Sequence, residues 1–270
     1  MRSPHIGVFD SGFGGLTVLR ALLGHIPHAC YTFLGDTARL PYGSKSRRTI
    51  AHYASQAAQF LVEKQGAEYL VIACNTASAL ALDSIQQAVP VPVLGVVEPG
   101  AEAARAASKT GDVLVIATAA TVQSHAYATA CREQGLRALE KACPLLVPLV
   151  EEGWTEHPVT RQVIDVYLSE LRAEAQAEGL QYDALVLGCT HYPLIRSLLE
   201  QAVTPGVRVI DSAEATAEAA MRLFGQDGEA RPSTAQVRCF ATDSVEKFER
   251  LGSRFLGRPT GKVELVDLDG

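Results

Sequence analysis

The chain has 270 residues, enough for one large α/β domain or two smaller ones with substantial cores. It is 47% hydrophobic and 20% charged, as ordinary globular proteins are, and its net charge of −6 argues against a polyanion-binding surface, because nucleic-acid binders carry a basic face. No apolar stretch is long enough to span a bilayer and Asp10 interrupts any leader-like run, while six cysteines without a CxxC pair favour reduced thiols and a cytoplasmic location.

The apolar run from Ile6 to Phe9 predicts a short buried strand, followed by the turn Asp10-Ser11-Gly12-Phe13-Gly14-Gly15 and a helix through Leu16, Leu19 and Leu23. A strand at 30–34 leads into a polar loop over 35–46, then into a helix with Gly66 as its C-cap. A strand at 69–73, a helix through Leu82 and Ile85 and a strand at 91–97 come next. The alternation resumes with a strand at 112–118, a helix near 121–134 and the apolar run 143–150, read as a further strand. A long helix over 158–178, a strand at 184–188, a helix after Pro193, a strand at 207–210 and two more strand–helix units complete the chain. The polar stretch 225–234 reads as a surface loop.

Repeated βα units predict an α/β fold of two doubly wound parallel-sheet lobes, pseudo-symmetric, with the active site between them. The preferred division assigns 1–98 with 210–270 to the N-terminal lobe and 99–209 to the second.

Two cysteines stand in near-duplicate settings, Cys74 in VIACNTAS and Cys189 in LVLGCTHYPL. Each follows an apolar strand and precedes a helix, which puts it at the carboxyl edge of a sheet, where ligands bind. A helix N-terminus there favours a thiolate. Cysteine is also commonly a small buried hydrophobe, and Cys30, Cys131, Cys143 and Cys239, which lack this context, are read that way. Beside the two thiols lie Asn75-Thr76 and Thr190-His191, whose amides and hydroxyls can bind amino and carboxylate groups, and His191 can exchange a proton near neutrality. Glu151 and Glu152 end the apolar run, either at a strand's carboxyl edge or as a solvated pair. Thr118 and Thr121 occupy a corresponding junction.

The N-terminal glycine turn fails the G-x-G-x-x-G spacing and has no Walker lysine. It reads either as a backbone approach to a small ligand or as a tight turn with Asp10 as its cap. The Pro41-Tyr42-Gly43-Ser44 turn reads either as a plain structural turn or as a source of backbone N–H groups and a phenol for a site. No metal motif, cofactor motif or identifiable Schiff-base lysine is present.

Together FDSGFGGLTVL (9–19), GDTARLPYG (35–43), VIACNTAS (71–78), PLVEEG (148–153) and LGCTHYPL (187–194) resemble the cofactor-independent glutamate racemases, in family order from residue 6 to about 215. The resemblance implies a cell-wall role in supplying D-glutamate for peptidoglycan, with glutamate as the small-molecule partner, no cofactor, no metal, and no nucleic acid or membrane. A homodimer is compatible with it. It implies that Cys74 and Cys189 are the acid/base pair, Cys74 acting on the D-isomer and Cys189 on the L-isomer. Asp10 and His191 assist them, and so does a carboxylate aligned with Glu151, with Glu152 one register away. Asp10, Ser11, Tyr42, Gly43, Asn75, Thr76, Thr190 and His191 match substrate-contacting positions. The rival readings are an aspartate racemase, a two-lobed binding protein and a thiol-redox protein.

Overall fold

A computed structural model describes residues 3–225 and 235–268. The first half of the chain alternates β1 (His5–Asp10), α1 (Leu16–His25), β2 (Cys30–Gly35), α2 (Arg47–Gln59), β3 (Tyr69–Ile72), α3 (Asn75–Ala88), β4 (Val93–Gly95) and α4 (Val97–Ala107). The second half runs β5 (Asp112–Ala117), α5 (Ala119–Ser124), α6 (Ala126–Glu133), β6 (Arg137–Ala142), α7 (Leu146–Glu151), α8 (Pro158–Ala177), β7 (Ala184–Gly188), α9 (Arg196–Ala202), β8 (Arg208–Asp211) and α10 (Ser212–Phe224). The chain closes with β9 (Gln236–Ala241), α11 (Val245–Leu256) and β10 (Val263–Leu265). Residues 226–234, most of the stretch read as a surface loop, lie outside the described residues.

Among the described residues the strands form two all-parallel sheets, ordered β10-β9-β2-β1-β3-β4 and β6-β5-β7-β8. The fold is therefore α/β with two parallel sheets and helices packed on them. The order β2-β1-β3-β4 recurs strand for strand as β6-β5-β7-β8. In each unit successive connections leave the first strand in opposite directions, which opens a crevice at the carboxyl ends of β1 and β3 and of β5 and β7. The middle strands read as continuous apolar runs because helices cover both faces: β5 and β7 are buried at every position.

Local signals explain most boundaries. Ser46 caps α2 by accepting from the Thr49 N–H, and Gly66, at φ +74°, ends the π-helical turn Phe60–Lys64 that extends it. The single helix expected near 121–134 is broken in two at His125, which adopts a left-handed φ of 53°. The apolar run 143–150 is not a strand. Its Leu146–Glu151 part is α7, and the strand is the preceding, more polar segment β6, an edge strand whose outer side permits charged residues. A short apolar run carries no period that separates strand from helix.

Candidate active site

Each conspicuous thiol ends a strand that borders a crevice. Cys74 follows β3 as the N-cap of α3, where its sulfur accepts from the Ala77 N–H and donates to Ser11 Oγ, both at 3.4 Å. Cys189 follows β7, and its sulfur lies 3.9 Å from His191 Nδ1. Both cysteines are 5% exposed, and both line one cavity of about 380 Å³ between the carboxyl edges of the two sheets. The first sheet's loops add Ser11, the Leu40–Ser44 turn, Asn75 and Thr76. The second adds Thr118, Ala119, Pro144, Val147, Pro148, Glu151, Thr190 and His191.

Of the residues singled out in the sequence, Asp10 and Thr121 stand behind this wall. The Asp10 carboxylate is buried and accepts from the Gly12 N–H at 2.9 Å. It does not cap α1, whose N-cap is Gly15. Thr121 is buried in a cluster of hydroxyls, 3.3 Å from Thr76 Oγ1 and 2.9 Å from Thr118 Oγ1, with Thr76 and Thr118 3.1 Å apart. Tyr42 borders the cavity, but its phenol donates to Asp36 Oδ2 at 2.6 Å, so the hydroxyl is already committed. Gly14 gives its space to the second half of the chain: a Cβ there would collide with the Thr190 hydroxyl and come 2.6 Å from His191 Cε1.

The charges are arranged unequally around the two thiols. Burial pushes the Cys74 thiol up to about 12, and the Asp10 charge adds to this, against weaker help from Ser11 and Ala77. The helix N-terminus was expected to favour a thiolate; at Cys74 the loss of water outweighs one N–H contact of 3.4 Å. Burial also raises Asp10 above the ordinary carboxylate range. At His191 burial acts downward, but the bonds to Cys189 and Glu151 prevail and push it up to about 10.

Glu151, not Glu152, faces this group. It ends α7, where a negative charge opposes the helix dipole, so it requires cations. Its Oε1 lies 3.3 Å from His191 Nε2 and its Oε2 3.7 Å from Lys247 Nζ. Burial would raise Glu151, but these two neighbours together hold it below the usual range. Glu152 is exposed and outside the cavity. Lys247, on α11, was missed because the closing segment carries no motif. Leu40, Ala119, Pro144, Val147 and Pro148 were missed because apolar side chains advertise no chemistry. Among the described residues no group of three His, Cys, Asp or Glu is placed to hold a metal ion, and no helix is long and apolar enough to cross a membrane.

Fold and cavity thus define a class: a two-sheet α/β protein that presents two thiols to one shared ligand space. A family model described as Asp/Glu/Hydantoin racemase matches residues 17–220. The chain is 53% identical to a glutamate racemase of Koribacter versatilis, over 99% of this chain and 98% of that one. The crystal structure of a glutamate racemase isoform from Bacillus anthracis is similar with a TM-score of 0.89, at 35% identity over 99% of both chains. That of the Francisella tularensis glutamate racemase in complex with D-glutamate has a TM-score of 0.88, at 34% identity over 99% of this chain and 98% of that one. The chain belongs to the Asp/Glu/hydantoin racemase family and is an isomerase.

Proposed function

We propose that the protein is a glutamate racemase that inverts the α-carbon with two thiols and no cofactor. The observation that carries this reading is the pairing of Cys74 and Cys189 on one cavity, each at the end of an equivalent strand. The relatives named as glutamate racemases, one of them in complex with D-glutamate, support the choice of substrate.

Inversion needs a proton removed from one face of the α-carbon and another returned to the opposite face. One base would have to cross the substrate plane, so two groups on opposite sides are the direct solution. Starting from the L-isomer, Cys189 is the base, and its negative charge faces the His191 imidazolium. Cys74, which burial keeps protonated, is the acid. Starting from the D-isomer the roles exchange. Cys74 must then lose its proton, and Asp10, whose own proton affinity burial raises, assists it. His191 shuttles the charge on the other side, oriented by Glu151.

The substrate's ammonium acidifies its α-carbon, and donors on its carboxylates stabilise the charge that develops. Ser11, Gly43, Asn75, Thr76, Thr118 and Thr190 line the cavity and supply such groups. Tyr42 contributes through its backbone, and Thr121 by holding the Thr76 and Thr118 hydroxyls. In this reading 1–98 with 210–270 and 99–209 are the two lobes, the protein works in the cytoplasm, where a homodimer is compatible with it, and its D-glutamate serves peptidoglycan synthesis.

The test is L-glutamate in D₂O with no added cofactor, followed by optical rotation and α-deuterium content. Loss of rotation with deuterium incorporation is expected, and Cys74→Ala and Cys189→Ala should each abolish turnover. Undiminished racemisation by either variant would reject the two-thiol mechanism.

A further inference from the structure

Asn75 opens α3 beside Cys74, lines the cavity and is buried. Its carboxamide carries one acceptor oxygen and one nitrogen with two donors. The oxygen is committed: Oδ1 accepts from the Tyr127 hydroxyl at 2.7 Å. The nitrogen is buried and has no hydrogen-bond partner among the described residues. A buried N–H₂ left unpaired beside a ligand cavity is costly unless the ligand accepts from it. The chemistry that fits is a carboxylate.

Tyr127 lies on α6, in the half of the chain opposite Asn75, and is fully buried. Its ring is gripped by two glycines: a Cβ on Gly100 would approach it to 3.1 Å, and one on Gly188 to 3.0 Å. The ring therefore has little room to turn, and its hydroxyl is held where it reaches Asn75 and the Ser212 side chain. A carboxamide rotated by half a turn would present its oxygen to the cavity and repel a carboxylate, so the orientation matters to binding.

We propose that Tyr127 is a positioning residue, whose hydroxyl fixes the Asn75 carboxamide so that Nδ2 faces the cavity and donates to a substrate carboxylate. This rests on the glutamate racemase reading. Without the Tyr127 hydroxyl both amide orientations are open, and apparent affinity falls with the share of competent protein. The sulfur atoms are untouched, so turnover at saturation is retained.

The experiment measures KM and kcat with D- and L-glutamate for the wild type, Tyr127→Phe, Asn75→Ala, their double variant and Asn75→Asp. Tyr127→Phe is expected to raise KM roughly 2-fold, since two open amide orientations leave about half of the protein competent, with kcat within about 3-fold of wild type. Asn75→Ala should raise KM at least as much, and the double variant should be no worse than Asn75→Ala alone. Asn75→Asp keeps an acceptor for Tyr127 but replaces the N–H₂ by an oxygen that repels a carboxylate, so it should bind at least as poorly as Asn75→Ala. Additive losses, or a fall in kcat at constant KM, would overturn the positioning role. So would a wild-type KM in Asn75→Asp, a result that needs no folded Tyr127 variant. A wild type inert toward glutamate removes the underlying reading instead, whereas an active wild type with additive variants removes only the role of Tyr127.

Discussion

His191 is the residue on which the cavity's electrostatics turn. Its imidazole lies between Cys189 Sγ and Glu151 Oε1, in van der Waals reach of Phe13 and Phe255 rings that exclude water. Its affinity for a proton is raised on folding, from 6.5 to about 10. The imidazolium's contribution to stability is then complete below pH 6.5 and is lost as pH climbs toward 10. Glu151, shifted downward, contributes at all pH above the ordinary carboxylate range and is constant through that window. The part of this proton affinity that comes from Glu151, whose charge is constant in the window, makes the wild type lose unfolding free energy as pH rises from 6.5 toward 10. Denaturant melts should show that loss flattened in His191→Asn. Equal slopes in both proteins would mean that folding gives His191 no net gain in bound protons beyond what its thiol partner gives up.

Among the elements, the turn between β1 and α1 decides how closely the two sheets meet. Gly14 is where a missing side chain lets that turn rest against Thr190 and His191, and Thr17 on α1 strengthens the seam by donating to the Thr190 carbonyl at 3.1 Å. Gly14→Ala must push the Cys189 loop away, and displacement near 1 Å costs roughly 100-fold in a positioned reaction. We expect kcat/KM to fall by about that factor, with about 1–3 kcal/mol lost from stability through overpacking. Unchanged kinetics would show that the seam tolerates movement. This turn also marks what the sequence could and could not tell. The glycines read as a backbone approach to a small ligand or as a tight turn, whereas what packs against Gly14 is the Thr190–His191 segment, more than 170 residues away, which local spacing cannot name. The thiols were legible because each repeats the same strand–cysteine–helix context. Asp10 and Thr121 sat at the expected strand edge, yet which side chains face the cavity is set by packing across two sheets. The run Pro144–Val150 was misread because its leucines and valines suit a strand, whereas its two prolines deny a sheet its ladder hydrogen bonds.

In the whole molecule, contacts between the two halves surround the ligand space: the Thr76–Thr118–Thr121 hydroxyl cluster, Tyr127 on Asn75, and Lys247 on Glu151. A ligand seated there touches both sheets and binds the folded chain alone. Saturation at 100 times its Kd should therefore stabilise the fold by about 2.7 kcal/mol, or roughly 5–10 °C in Tm. Thermal melts with and without glutamate measure this, and an unmoved midpoint at high concentration would argue that glutamate is not the ligand. Lys247 is half-exposed, so its pairing with Glu151 weakens with salt, while the buried hydroxyl cluster does not.

The recurrence of β2-β1-β3-β4 as β6-β5-β7-β8 reaches beyond architecture. Mirror-image amino acids have equal free energy in achiral water, so an altered residue must change kcat/KM by one common factor for both hands. Damage confined to one sheet can redistribute which hand is held longer at saturation, but it can never turn the protein into a one-way device. A duplicated scaffold with a like strand end on each side of the cavity suits a reaction whose equilibrium favours neither hand.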